Sequence, residues 1–240
     1  MRREEVAARA GRGITVAVID SGINAGHPHV GEVAGGVAFL PGEGGIVESE
    51  EWEDRIGHGT AVAGVLRATA PAAALHAVRV FPERLVTTPQ AIAAALRWCA
   101  REEVDIANLS LGSRDPRSEE VIDEACREAL DAGVVVVAAA HADPGLQYPA
   151  AFPGVLGVAP DEECGWDELV HRPHHEIPFF AHGYPRSMPG AGVRDNFRGA
   201  SFAAPHLTAW VARLLEWDPA LGGESLRRAL IGIAKRAGGS

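Results

Sequence analysis

Residues 14–20, ITVAVID, form a β-branched apolar run that closes on an aspartate, which predicts a short strand. Residues 58–68 follow a glycine and carry Val62, Val65 and Leu66 at helical spacing. A strand is predicted at 74–81, ALHAVRVF, and a helix at 88–102, where Ile92, Leu96 and Cys99 share a face. VDIANLSL at 104–111 is the next strand. Residues 117–132 set Val121, Ile122, Ala125, Cys126, Ala129 and Leu130 against an acidic outer face, so a helix follows. VVVVAAA at 134–140 is apolar at both parities, as a parallel strand covered on both faces is. GVLGVA at 154–159 predicts a further strand. Residues 160–198 are irregular and rich in His, Pro and Gly, and two helices close the chain at about 201–216 and 223–236. No repeat or low-complexity linker interrupts the series. Alternating strands and helices predict an α/β fold: a doubly wound, mostly parallel sheet with helices on both faces, in one domain over residues 1–240.

Composition narrows the function. The 240 residues are 47% hydrophobic, enough for a sizeable core, and carry a formal net charge of −10. That charge argues against nucleic acid and anionic membrane surfaces as partners, because phosphates are held by Lys and Arg. No apolar run is long enough to span a bilayer. The first residues, MRREEVAARAGRG, lack the apolar core of a secretory signal. Cys99, Cys126 and Cys164 are an odd number without close spacing. Free buried thiols and a cytoplasmic location are the reading.

In sheets of this kind chemistry gathers at the carboxyl ends of strands. Asp20 ends the first strand in VIDSG, His58 opens a helix in GHGT, and Ser201 opens another in GASFAAP. Each sits beside a glycine, where backbone comes close to a ligand. The stretch FRGASFAAPHL at 197–207 puts a serine at a helix start with a proline four residues on. By itself this serine is either an N-cap or a nucleophile at the positive end of the helix.

VIDSGI around Asp20, HGTAVAG around His58, NLSLG at 108–112 and GASFAAPH around Ser201 together resemble the subtilisin-like serine proteases, in the family's order Asp, His, Ser. The resemblance implies that Ser201 attacks a peptide carbonyl, His58 moves the proton, and Asp20 orients the imidazole. It also implies that the Ser201 N–H donates to the oxyanion. The backbone of Ser110, Leu111 and Gly112 would pair with a peptide or protein substrate bound in extended form.

The chain departs from the family in several places. Where relatives carry an asparagine as second oxyanion donor, this sequence reads AAAHADPG, with Ala142 at the equivalent position. His141 is the candidate replacement and Asp143 the second choice; a carboxylate there must be protonated to donate. The connection RATAPAA at 67–73 is too short for a calcium loop, and His29 stands where relatives often place an aspartate. No calcium, other metal or cofactor is expected, nor a prodomain before the first strand. Cys164, His171, His174 and His175 match no zinc spacing.

The layout is similar to dedicated maturation subtilases that remove leader peptides, such as the one acting in quinohemoprotein amine dehydrogenase biogenesis. The alternative is a non-catalytic module that grips an extended peptide. Specificity is expected to lie in the loops at 82–88 and 160–198.

Overall fold

The computed structural model describes residues 1–141, 143, 145, 147–187 and 197–236. A short helix α1 (Arg3–Ala7) leads into β1 (Thr15–Asp20), and a hairpin follows, β2 (Gly35–Gly42) with β3 (Gly45–Ser49). Then come α2 (His58–Thr69), β4 (Ala74–Arg79), α3 (Pro89–Arg101) and β5 (Ile106–Leu109). Next are α4 (Glu119–Asp131), entered through a 3₁₀ turn at Pro116–Ser118, β6 (Val135–Ala139) and β7 (Leu156–Pro160). The chain continues through β8 (Leu169–His171), β9 (Phe179–Ala181), α5 (Ala200–Trp217), α6 (Gly223–Ile233) and β10 (Lys235–Arg236). The last helix is shorter than the sequence predicts, and its final residues form a strand instead. Residues 160–198, read as irregular, contain β8 and β9.

Among the described residues ten strands form one sheet, in the order β10-β8-β9-β7-β6-β5-β1-β4-β2-β3. All neighbours are parallel except the pairs β2–β3 and β8–β9. The period of two along each strand divides the core. Val16 and Val18 of β1, Val137 of β6 and Val158 of β7 face α2, α5 and α6. Ala17 and Ile19 of β1, Val136 and Ala138 of β6 and Ala159 of β7 face α3 and α4. The sheet is therefore doubly wound, with helices on both faces. Among the described residues no helix is long and apolar enough to cross a membrane.

Local chemistry sets several boundaries. Thr88 caps α3, its hydroxyl accepting from the Ala91 N–H at 3.2 Å, with Pro89 in the first turn. All three cysteines are free and buried. Burial pushes the Cys126 thiol up to about 12 and, with Asp161 and Glu168 adding to it, Cys164 to about 11. His171 sits in β8 with its ring 5.6 Å from that of Phe179, and the His175 ring meets Phe180 edge-on at 4.9 Å.

His206, within α5, is 2% exposed, and its Nε2 has no hydrogen-bond partner among the described residues. Its ring stands at 90° to Trp166, with centroids 4.7 Å apart. Burial, then the charge of His182, drives its pKa down to about 3; a backbone hydrogen bond at Tyr184 opposes the shift and Arg213 adds to it. The unfolded chain takes up this proton near the ordinary 6.5, and the native state refuses it until about 3. This contribution to stability is therefore intact above pH 6.5 and is lost as pH falls towards 3, up to roughly 4 kcal/mol. Urea unfolding should show a lower midpoint at pH 4 than at pH 7. His206→Gln should flatten that slope; an equal slope in both proteins would refute the assignment.

Candidate active site

β1 and β5 are neighbours, so their carboxyl ends bring Asp20 and the segment from Ser110 to one edge of the sheet. Asp20 is fully buried, and its Oδ1 accepts from the Ser21 N–H at 2.7 Å. His58 Nδ1 lies 2.8 Å from Asp20 Oδ1 and 3.0 Å from Oδ2. Gly59 makes the approach possible: a Cβ there would lie 2.2 Å from the Gly22 carbonyl oxygen and 3.1 Å from the Asp20 Cβ.

Asp54 holds the start of α2. One carboxylate oxygen accepts from the Ser21 hydroxyl at 2.9 Å and from the Ile56 and Gly57 N–H groups at 2.8 Å. The other accepts from the Thr60 N–H at 2.9 Å and from the Thr60 hydroxyl. A carboxylate on the free N–H groups of a helix start is favoured by both hydrogen bonding and the helix dipole. Ser21 closes the link, its Oγ accepting from the Gly59 N–H at 2.9 Å.

Burial works to lower the His58 pKa, but the charge and hydrogen bond of Asp20, with the charge of Asp54, outweigh it, and the net shift is upward. A base must be neutral to act, so kcat/KM should rise with pH along a limb centred above the ordinary 6.5. Asp54→Asn removes one of the charges that favour the imidazolium. Its limb should move to lower pH, and a limb that stays in place would show that Asp54 acts only by capping.

Ser201 opens α5. Gly199, just before it, has φ 112°, a conformation that side chains disfavour. Pro205 lies inside the helix and has no N–H to give the Ser201 carbonyl four residues earlier. That carbonyl accepts instead from the Ser110 hydroxyl at 2.8 Å, and the Ser201 hydroxyl donates to the Ser110 carbonyl at 2.9 Å. Behind this reciprocal pair, the Asn108 amide donates to Ser110 Oγ at 3.1 Å, and the Thr208 hydroxyl donates to Asn108 Oδ1 at 2.9 Å. The proline thus exchanges a helical bond for a tie between the serine turn and the end of β5.

Two cavities meet at Ser201. One, of about 340 Å³, holds His58 and Ser201 and is walled by Phe81, Leu85, Val86, Ile92 and Leu111. Leu85 and Val86 are 45% and 70% exposed, so apolar surface is open to solvent here. Buried Arg79 braces this wall: its guanidinium donates to the carbonyls of Glu51, Phe81 and Pro82. The other cavity, of about 490 Å³, contains Ser201, Gly199 and Ala139. Ser110, Leu111 and Gly112 line both. His141 and Asp143 line the second and are exposed; Ala142 lies outside the described residues. The rings of Phe197 and Phe202 flank His58 at 5.5 and 5.4 Å.

The arrangement combines a buried carboxylate–imidazole pair with a hydroxyl in the same cleft, which is equipment for moving a proton off an attacking oxygen. A sequence model of the subtilase family matches residues 11–240. This chain belongs to the subtilase family. It is 29% identical over 247 aligned residues to Subtilisin Savinase of Lederbergia lenta, spanning 95% of this chain and 86% of that protein. The figures for the subtilisin of Bacillus pumilus are 29%, 96% and 86%. Among solved structures, Sphericase superposes with a TM-score of 0.71 at 25% identity, over 93% of this chain and 83% of its own. This subtilase is a subtilisin-type serine endopeptidase with a subtilisin-like fold.

The sequence marks Asp20, His58 and Ser201 but not the residues that support them. Asp54 sits in the acidic stretch EEWED, which looks like solvated surface. Asn108 and Thr208 are separated by 100 residues, so only folding reveals the pair.

Proposed function

We propose that Ser201 is the nucleophile, His58 the general base and acid, and Asp20 the orienting carboxylate of a dedicated processing endopeptidase that removes a leader from one peptide or small protein. The observation that carries this reading is the buried Asp20–His58 pair, whose imidazole lines the same cavity as Ser201. Ser201 Oγ adds to the peptide carbonyl as its proton passes to His58 Nε2. The oxyanion takes the Ser201 N–H at the positive end of α5. The imidazolium protonates the departing amine, and water repeats the sequence on the acyl-enzyme. The substrate lies extended along Ser110, Leu111 and Gly112.

His141 supplies the second oxyanion donor in this scheme, with Asp143 in its protonated form as the runner-up. Both line the cavity that contains Ser201. His141→Ala should lower kcat by about 10²-fold with KM nearly unchanged, because the donor acts in the transition state. A variant as fast as the parent would remove His141 from the mechanism.

A slow site without the usual amide suits an enzyme that relies on capturing one substrate. The three free thiols support a reducing compartment, the cytoplasm. Digestion of casein beside a library of leader-containing peptides tests the processing role. A processing enzyme leaves casein largely intact and cuts few library members, each at one bond. Broad degradation of casein would contradict it.

A further inference from the structure

We infer that the cavity of about 490 Å³ beside Ser201 selects a substrate whose residue immediately before the scissile bond is acidic, its carboxylate held by Arg114 and Arg198. The inference rests on Ser201 being the nucleophile and adds the substrate class.

Arg114 and Arg198 come from two of the chain segments that line the cavity, Ser110–Arg114 and Arg198–Ser201. Both are exposed, and among the described residues neither has an ion pair or hydrogen-bond partner. This runs against the rest of the chain, which is acidic overall, with a formal net charge of −10. Most arginines elsewhere are engaged: Arg97 with Glu124 and Glu128, Arg117 with Asp115, Arg213 with Asp167. Two unpaired guanidinium groups in one cavity beside a reactive serine are a receptor for an anion, since each presents a planar fork of donors that matches a carboxylate.

The other polar lining groups do not cancel this. Gln147 is 4% exposed and its amide is already used: its oxygen accepts from the His141 N–H at 2.7 Å, and its nitrogen donates to the His141 carbonyl at 3.1 Å. Among the described lining residues Asp143 is the one carboxylate, against two arginines, and His141 is the remaining titratable group, so this lining carries an excess of positive charge.

Its position fixes which substrate residue enters. The departing amine must lie where His58 can protonate it. His58 lines the apolar cavity, whereas the arginine cavity reaches Ser201 without it. The arginines therefore sit on the acyl side, and the side chain they meet belongs to the residue whose carbonyl is attacked.

The test uses three peptides that differ only in Glu, Gln or Lys before the scissile bond. kcat/KM should be about tenfold higher for Glu than for Gln, lowest for Lys, and the preference should shrink in high salt, because the arginines are exposed. In the Arg114→Ala/Arg198→Ala double variant the Glu-to-Gln ratio should fall to about one, and Asp143→Asn should raise it. Binding of the same peptides to Ser201→Ala, read by fluorescence anisotropy, should follow the same order. Equal rates for Glu and Gln in the parent, or a preference that survives loss of both arginines, would overturn the inference and leave the nucleophile intact. Preferential binding of the Glu peptide by a parent that cuts none of the three would support the arginine cavity and overturn the nucleophile assignment.

Discussion

Ser201→Ala is expected to reduce peptide cleavage on the order of 10⁶-fold, the scale measured for the equivalent change in subtilisin, a relative. The variant should remain folded. Among the described residues its hydroxyl makes one hydrogen bond, to the Ser110 carbonyl, and losing such a bond costs about 1 kcal/mol. The Ser110 hydroxyl still reaches the Ser201 backbone carbonyl, so the turn keeps half of its tie. Because serine and histidine act as a unit, adding His58→Ala should cost little more than Ser201→Ala alone. Progress curves of a fluorogenic peptide, with the melting temperature measured alongside, decide the matter. Activity within tenfold of the parent would exclude Ser201 as nucleophile.

Asp20→Asn should lower kcat by about 10⁴-fold while leaving the backbone in place. The reason lies in the hydrogen bonds Asp20 already makes. Its Oδ1 accepts from the Ser21 N–H at 2.7 Å, and its carboxylate faces His58 Nδ1 at 2.8 and 3.0 Å. Asparagine has a single acceptor oxygen. Kept on the Ser21 N–H, it turns the NH₂ group towards Nδ1, which must then accept. The ring proton moves to Nε2, and the nitrogen that should take the Ser201 proton is occupied. The same change removes the largest influence raising the His58 pKa, so any residual activity should titrate at lower pH. A variant retaining a tenth of parent activity would show that Asp20 does not set the tautomer.

The parts of the molecule that could be read in advance are those where periodicity is strong. β1 and β6 are buried at nearly every position, and the amphipathic helices α3 and α4 separate β4, β5 and β6, so the parallel sheet follows from the pattern. The hairpin of β2 and β3 escaped because its sequence is dense in glycine, with a proline near the turn, and β3 is mostly exposed. β8, β9 and β10 are only two or three residues long; such segments carry no period and exist through the neighbours they pair with.

The chemistry divides in the same way. Asp20, His58 and Ser201 stand at element ends beside glycine, where local sequence marks them. The sequence marks Ser110 as a backbone partner for substrate, but its further role in holding the Ser201 carbonyl depends on Pro205, far along the chain. The cationic lining formed by Arg114 and Arg198 is assembled from two loops and has no local signature.

The most direct measurement of the central claim is the intact mass of the protein after treatment with a fluorophosphonate. An activated serine reacts and an ordinary one does not. The account predicts a single adduct that maps to Ser201, absent from Ser201→Ala and formed far more slowly in His58→Ala. A folded parent that takes up no probe, or an adduct that persists in Ser201→Ala, would contradict it.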